Sequence, residues 1–222
     1  MRPTVIFDFD GTLALGDGPV RAYARCVADA AGDSRIVDDF EDAMVRIAAG
    51  STAFRDGYHA VAASAAVHGV DAATMDAAYL ASRELLATAE APIEAPAGLS
   101  EFLEALGEHA DRYLVTNSPN VRIDRALEAL GAAGRIEHIV TSAKKPLGLE
   151  PVVTDCLTRG PVLSVGDIHE YDLAPAAALG ASTALVGPAA TQPPTGVTMA
   201  ALTLPELYPA MQTWAAQSVL LG

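Results

Sequence analysis

The stretch TVIFDFDGTL, residues 4–13, decides how the rest of the chain is read. Residues 4–9 are an apolar, β-branched and aromatic run of strand length, interrupted at Asp8 and followed by Asp10 and Gly11. The two-residue period of a strand sends Asp8 and Asp10 to the same side at its carboxyl end. Two acids beside a core are costly unless positive charge compensates them. Gly11 allows a sharp backbone turn, and Thr12 is placed to hold that turn or an adjacent carboxylate by a hydrogen bond. Taken alone, the pair also fits two solvated acids at a fraying strand end.

The same apolar signature returns in RYLVTN (112–117), RIEHIV (135–140), PVLSVG (161–166) and STALVG (182–187). Helical patterns at 99–109, 120–131, 149–159 and 172–180 alternate with these strands. Such alternation predicts an α/β fold, a Rossmann-like parallel sheet covered by helices on both faces. Residues 16–96 read differently, as four alanine-rich helical segments separated by glycine or polar breaks. They predict an all-helical domain inserted after the first strand, bounded by GDGP (16–19) and APIEAPAG (91–98). The expected domains are therefore a core of residues 1–15 and 97–222, and a helical insertion of residues 16–96. The tail passes through a turn-rich QPPTG segment to LPELYPAMQTWAAQSVL, a closing helix against the core.

Twenty-eight acids against fourteen Lys and Arg residues give a formal charge of −14, which repels a nucleic-acid backbone and excludes it as a partner. A small phosphorylated ligand held by a few local cations is compatible with that charge. The longest apolar runs fall short of the ~20 residues that span a bilayer, and the N-terminus carries neither a basic region nor an apolar leader. Neither secretion nor membrane insertion is expected. Cys26 and Cys156 have no metal-ligand spacing and form no disulfide framework, so reduced thiols in a cytoplasmic protein are expected. The residues do not fix an oligomeric state.

Three later segments put polar chemistry at strand ends. YLVTNS delivers Thr116, Asn117 and Ser118, which could bind an anionic oxygen through a hydroxyl and backbone N–H groups, or simply cap a helix. SAKKP holds the chain's only lysines, Lys144 and Lys145, which could equally be a solvated pair. SVGDIHEYD ends the fourth strand with Gly166 and Asp167, followed by Asp172. Two acids, a hydroxyl, a lysine and two more acids thus converge on one end of one sheet, where ligands bind in α/β folds.

This ordered set, DFDGTL (8–13), TNS (116–118), KP (145–146) and GDIHEYD (166–172), resembles the haloacid dehalogenase superfamily, in that family's order and over nearly the whole core. The resemblance implies a phosphoric monoester hydrolase with a helical cap between its first and second motifs. Asp8 would be the nucleophile that becomes an aspartyl-phosphate, and Asp10 the general acid and then the base. Mg²⁺ would be held by Asp8, the backbone carbonyl of Asp10, and Asp167. Thr116 would bind a phosphoryl oxygen, and Lys145, rather than its competitor Lys144, would offset charge. Thr12, Asn117 and Asp172 would support the arrangement, Asp172 by orienting Lys145 or through a metal-bound water. Ile168 and His169 depart from the small hydroxyl residue that phosphatase members often carry after the fourth-motif aspartate.

Within the family, Asp10 argues for phosphoryl chemistry, because the dehalogenases that named the superfamily lack the second acid. The phosphonoacetaldehyde hydrolases use a cap lysine, and residues 16–96 contain none. The expected reaction is Mg²⁺-dependent hydrolysis of a small phosphorylated metabolite. A sugar phosphomutase, and a silent scaffold that binds a phospho-metabolite or partner, are the alternatives. Arg55, Arg46, Tyr58 and His59 of the cap, and His169 of the core, are the candidate specificity residues.

Overall fold

A computed structural model describes residues 1–220, so the last two residues of the expected core domain lie outside the described residues. Among the described residues six strands form one sheet: β1 (Thr4–Phe7), β2 (Asp111–Val115), β3 (His138–Val140), β4 (Val162–Gly166), β5 (Ser182–Val186) and β6 (Met199–Ala201). Their order is β3-β2-β1-β4-β5-β6, and every neighbouring pair is parallel. β1 sits at the centre, with Phe7 opposite Leu114 on one side and Val165 on the other. All residues of β1 and β4 are buried, without inside-outside alternation, as a parallel sheet covered on both faces requires.

The expected alternation of strands and helices is present. α5 (Leu99–Leu106) precedes β2, α6 (Ile123–Ala129) follows it, α7 (Leu149–Leu157) joins β3 to β4, and α8 (Ala174–Ala178) joins β4 to β5. The closing helix is α9 (Leu204–Leu220), whose Leu204, Leu207, Met211 and Ala215 are buried. Its Tyr208 stacks on Phe102 of α5 at 3.8 Å between ring centroids, and Phe102 meets Phe7 edge-on at 6.3 Å. Aromatic pairs of this kind contribute about 0.5–1.5 kcal/mol beyond their buried area.

Two elements differ from the expectation. β6 is only three residues long, MAA, with Ala200 exposed between half-buried Met199 and Ala201, too short for a strand period to show; its pairing with β5 makes it a strand. The helix expected from residue 172 begins earlier, as a π-helical turn over His169–Leu173. That wider turn precedes α8 and carries Asp172.

Between β1 and α5 an all-helical block is inserted, consisting of α1 (Gly18–Ala31), α2 (Arg35–Ala48), α3 (Gly57–Val67) and α4 (Ala72–Arg83). Asp56 and Asp71 cap α3 and α4, accepting from the backbone N–H groups of His59 and Thr74 at 2.7 Å each. Val20, Tyr23, Val27, Ile36, Phe40 and Val61 lie in the core of this block. The chain divides into two compact units, one of residues 1–15, 94–120 and 127–220, the other of residues 16–93 and 121–126. Leu15 and Glu94, the last and first core residues flanking the insertion, exchange backbone hydrogen bonds of 2.8 and 2.9 Å.

Candidate active site

Parallel strands present all their carboxyl ends at one edge of the sheet, and the polar motifs are located there. β1 ends at Phe7, and Asp8 continues from it with its N–H bonded to the Val165 carbonyl at 2.9 Å. Asp10 lies beyond the strand, so strand alternation does not set its direction. The turn that follows is tied by backbone bonds: Thr12, Leu13 and Ala14 donate to the Phe9 carbonyl, and Gly11 donates to the Ala14 carbonyl. Thr12 is fully buried, and its hydroxyl has no hydrogen-bond partner among the described residues, so it binds neither the turn nor a carboxylate.

Gly11 is needed for two reasons. Its φ is +86°, and a Cβ there would lie 2.4 Å from the Asp167 carboxylate. Gly166 has a comparable role, because a Cβ at that position would lie 2.4 Å from an Asp172 carboxylate oxygen. Both glycines make room for acids, a function that their spacing in the sequence does not announce.

Lys145, not the exposed Lys144, reaches the acids. Its ammonium donates to Asp8 Oδ1 at 2.5 Å and to Asp172 Oδ1 at 2.6 Å, with its side chain only 4% exposed. Burial pushes the Lys145 pKa down, but the charges of Asp8 and Asp172 outweigh burial and raise it, so the group is cationic. Asn117 fixes the lysine's backbone: its Oδ1 accepts from the Lys145 N–H at 2.6 Å, and its Nδ2 donates to the Lys145 carbonyl at 3.3 Å. Asp172 is fixed too, with Oδ2 accepting from the Ile168 N–H at 3.0 Å and its carbonyl accepting from Ser164 Oγ at 2.6 Å.

Asp8, Asp167 and Asp172 each offer a carboxylate oxygen within 4.8 Å of the others, a set that could hold a divalent cation. Burial, then the charge of Asp172, raises the Asp8 carboxyl to about 7 despite Lys145. Burial, then Asp8 and Asp172, pushes Asp167 well above the ordinary carboxylate range. Asp167 Oδ1 is also buried without a hydrogen-bond partner. Three acids facing one ammonium leave an excess of negative charge, and hard carboxylate oxygens suit a hard cation.

The Asp10 carboxylate is not in this group. Its Oδ2 accepts from Ser118 Oγ at 2.7 Å. Thr116, buried at the end of β2, accepts the Ser118 N–H on its Oγ1 at 3.0 Å, which leaves its own proton to offer to an anion. His169 is partly buried at the head of the π-helical turn.

The remaining specificity candidates belong to the helical block. Arg55 is exposed and pairs with Asp56 at 2.8 Å, and its N–H donates to His59 Nδ1 at 3.1 Å. The exposed Arg46 lies over the Phe54 ring at 5.2 Å. Tyr58 joins Tyr23 and Tyr79 in an aromatic cluster and accepts from Arg83 Nη1 at 3.2 Å. Arg83, 1% exposed, was not singled out by sequence reasoning; in an alanine-rich helix its only signal is an arginine amid small residues. Ser118 was visible in the TNS motif, but its attachment to Asp10 is a contact across 108 residues.

A parallel α/β sheet that gathers acids, an ammonium and a hydroxyl at its carboxyl edge, with a helical cap inserted after β1, defines an enzyme working through strand-end aspartates. A sequence profile described as haloacid dehalogenase-like hydrolase matches residues 3–180, and the chain belongs to that family. Among solved structures it is similar to the hydrolase YfnB from Bacillus subtilis, determined bound to magnesium, with a TM-score of 0.64, 18% identity, and coverage of 95% of this chain and 98% of that one. A subfamily IA hydrolase from Geobacter sulfurreducens matches with a TM-score of 0.60, 20% identity, and coverage of 95% and 100%. The L-2-haloacid dehalogenase from Xanthobacter autotrophicus matches with a TM-score of 0.50, 18% identity, and coverage of 84% and 78%. No curated protein sequence matches the chain. At these identities the structural likeness establishes the shared fold. No helix among the described residues is long and apolar enough to cross a membrane.

Proposed function

We propose that the protein is a Mg²⁺-dependent phosphatase that hydrolyses a small phosphorylated metabolite through an aspartyl-phosphate on Asp8. The observation that carries this reading is a division of labour between neighbouring acids. Asp8 lies with Lys145 and the other cluster carboxylates, whereas Asp10 is held apart by Ser118. A nucleophile needs its lone pair free and its charge offset, and a proton donor needs to stand outside the cation-binding group.

In this reading Asp8 and Asp167 hold the cation, with the Asp10 carbonyl as a further ligand. The unpartnered Asp167 Oδ1 and the room made by Gly11 fit that assignment. When bound, Mg²⁺ supplies charge stabilisation to the phosphoryl group. An Asp8 carboxylate oxygen forms a bond to phosphorus as the bond from phosphorus to the ester oxygen breaks, and Asp10 gives its proton to the departing alcohol. Asp10 then takes a proton from water as the water oxygen attacks phosphorus, the bond from Asp8 to phosphorus breaks, and phosphate leaves. Lys145 offsets charge on Asp8, Asp172 orients Lys145, Asn117 holds its backbone, and Thr116 donates to a phosphoryl oxygen.

Residues 16–96 serve as the cap, with the segments at 16–19 and 91–96 as its hinges. Arg55, Arg46, Tyr58, His59 and His169 are the positions at which the alcohol portion is read. Free Cys26 and Cys156 fit a reducing cytoplasmic setting. Phosphate release from a panel of phosphomonoesters, with Mg²⁺ and with chelator, tests the reaction. Metal-dependent release that vanishes in Asp8→Asn with the fold intact is expected; release that persists in that variant refutes Asp8 as nucleophile.

A further inference from the structure

We propose that Ser118 is the positioning residue for Asp10, fixing the plane of its carboxyl group and reserving Oδ2 as a hydrogen-bond acceptor while Oδ1 carries the proton to be transferred. The inference deepens the functional reading above and rests on Asp10 acting as acid and base.

Bonds on its backbone place Ser118, and its hydroxyl is directed at the Asp10 carboxylate. The Ser118 N–H donates to Thr116 Oγ1 at 3.0 Å, its carbonyl accepts from the Ser142 N–H at 2.8 Å, and its Oγ donates to Asp10 Oδ2 at 2.7 Å. The residue is 2% exposed, so water offers its hydroxyl little competition. A hydroxyl has one proton to give, and here it is given to one named oxygen. A carboxylic acid whose Oδ2 accepts that bond carries its own proton on Oδ1. The bond therefore selects the oxygen and orients the group before substrate arrives, and such preorganisation matters because proton transfer requires hydrogen-bond geometry in the transition state. The same tripeptide also ties the acid to the phosphate site: Thr116, the proposed phosphoryl donor, is the group that holds the Ser118 N–H. Asp10 and Thr116 are thus registered to one another through a single buried serine.

The balanced step this governs is protonation of the ester oxygen by Asp10 Oδ1–H as the phosphorus–oxygen bond breaks. Its weight depends on the alcohol. p-Nitrophenolate leaves without a proton, whereas an alkoxide does not. kcat/KM is therefore compared for p-nitrophenyl phosphate and a simple alkyl phosphate in wild type, Ser118→Ala, Ser118→Thr and Asp10→Asn, each checked for native circular dichroism. General acid catalysis contributes about 10²–10⁴-fold. Ser118→Ala is expected to lose about 10–10²-fold on the alkyl ester and less than about threefold on the aryl ester, with Ser118→Thr restoring the alkyl rate. Ser118→Cys, closer in shape and a weak donor, gives the same comparison if the alanine variant does not fold. Equal losses on both esters, or no loss on the alkyl ester, overturn the proposal for Ser118. If Asp10→Asn itself fails to discriminate between the esters, the assignment of Asp10 falls instead.

Discussion

Removing divalent cation is expected to make the protein's stability fall with rising pH across the neutral range, and supplying Mg²⁺ is expected to reverse that fall. The reasoning starts from Asp8, whose carboxyl is raised from 3.8 to about 7, chiefly by burial and then by Asp172. Without a cation, the folded state keeps a proton on Asp8 that the unfolded chain has already released. Between these two pH values the unfolded state is therefore favoured progressively as pH rises. The penalty is absent below about 3.8 and complete above about 7. At about 1.4 kcal/mol per pH unit, that gap corresponds to about 4 kcal/mol as an upper value from Asp8 alone. Asp167, raised for the same reasons, acts in the same direction. A bound cation compensates both carboxylates in the ionised form, so its stabilisation grows over this window. For a chain of this length, each kcal/mol moves Tm by about 2–4 °C, so the cation-dependent difference should approach about 10 °C by pH 8 and shrink towards zero near pH 4. Thermal unfolding from pH 4 to 8 in Mg²⁺ and in chelator provides the measurement. The difference between the two series is the observable, because the surface carboxylates titrate alike in both. A Mg²⁺ effect of equal size at both ends of the range, or none at all, would refute the electrostatic account of the site.

Further outcomes are expected. Gly11→Ala forces a side chain into a φ of +86° and against the Asp167 carboxylate; a stability loss of about 1–3 kcal/mol and weaker Mg²⁺ binding by titration calorimetry should appear together, and unchanged Mg²⁺ affinity would contradict the contact. Lys145→Met leaves Asp8 and Asp172 without their ammonium; about 3–5 kcal/mol is expected in denaturant unfolding at neutral pH without cation, and a loss that does not shrink as the acids protonate would count against it. Asn117→Ala removes both bonds to the Lys145 backbone from an exposed position, costing about 1 kcal/mol and lowering activity without changing the cap; full activity would remove Asn117 from the support of Lys145. In the helical block, His68 sits between Asp39 at 2.7 Å and Asp33 at 2.9 Å, and its pKa is raised by the bonds to both. Its contribution is fully present below about 6.5 and is lost as pH rises through the raised value, so hydrogen exchange near the end of α3 should accelerate with pH beyond the chemical rate in wild type but not in His68→Gln.

The DFDGTL, TNS, KP and GDIHEYD segments determined, as sequence, that an α/β core would carry acids, a hydroxyl and a lysine at one sheet edge, because strand period and parallel topology dictate where strand ends go. Segments too rich in alanine for strands, separated by glycine or polar breaks, likewise made the inserted block legible as helices. Lys145 was expected over Lys144 from its place directly before Pro146, and the Lys145 ammonium is the one that bonds to Asp8 and Asp172, its backbone held by Asn117. Strand alternation was expected to send Asp8 and Asp10 to one side, but β1 stops at Phe7, and the Asp10 carboxylate takes its bond from Ser118, a partner 108 residues away. Asp172 came into the cluster through a π-helical turn, and β6 became a strand only by pairing. These features depend on contacts between distant residues, and a linear pattern encodes only the local periodicities that bring them within reach.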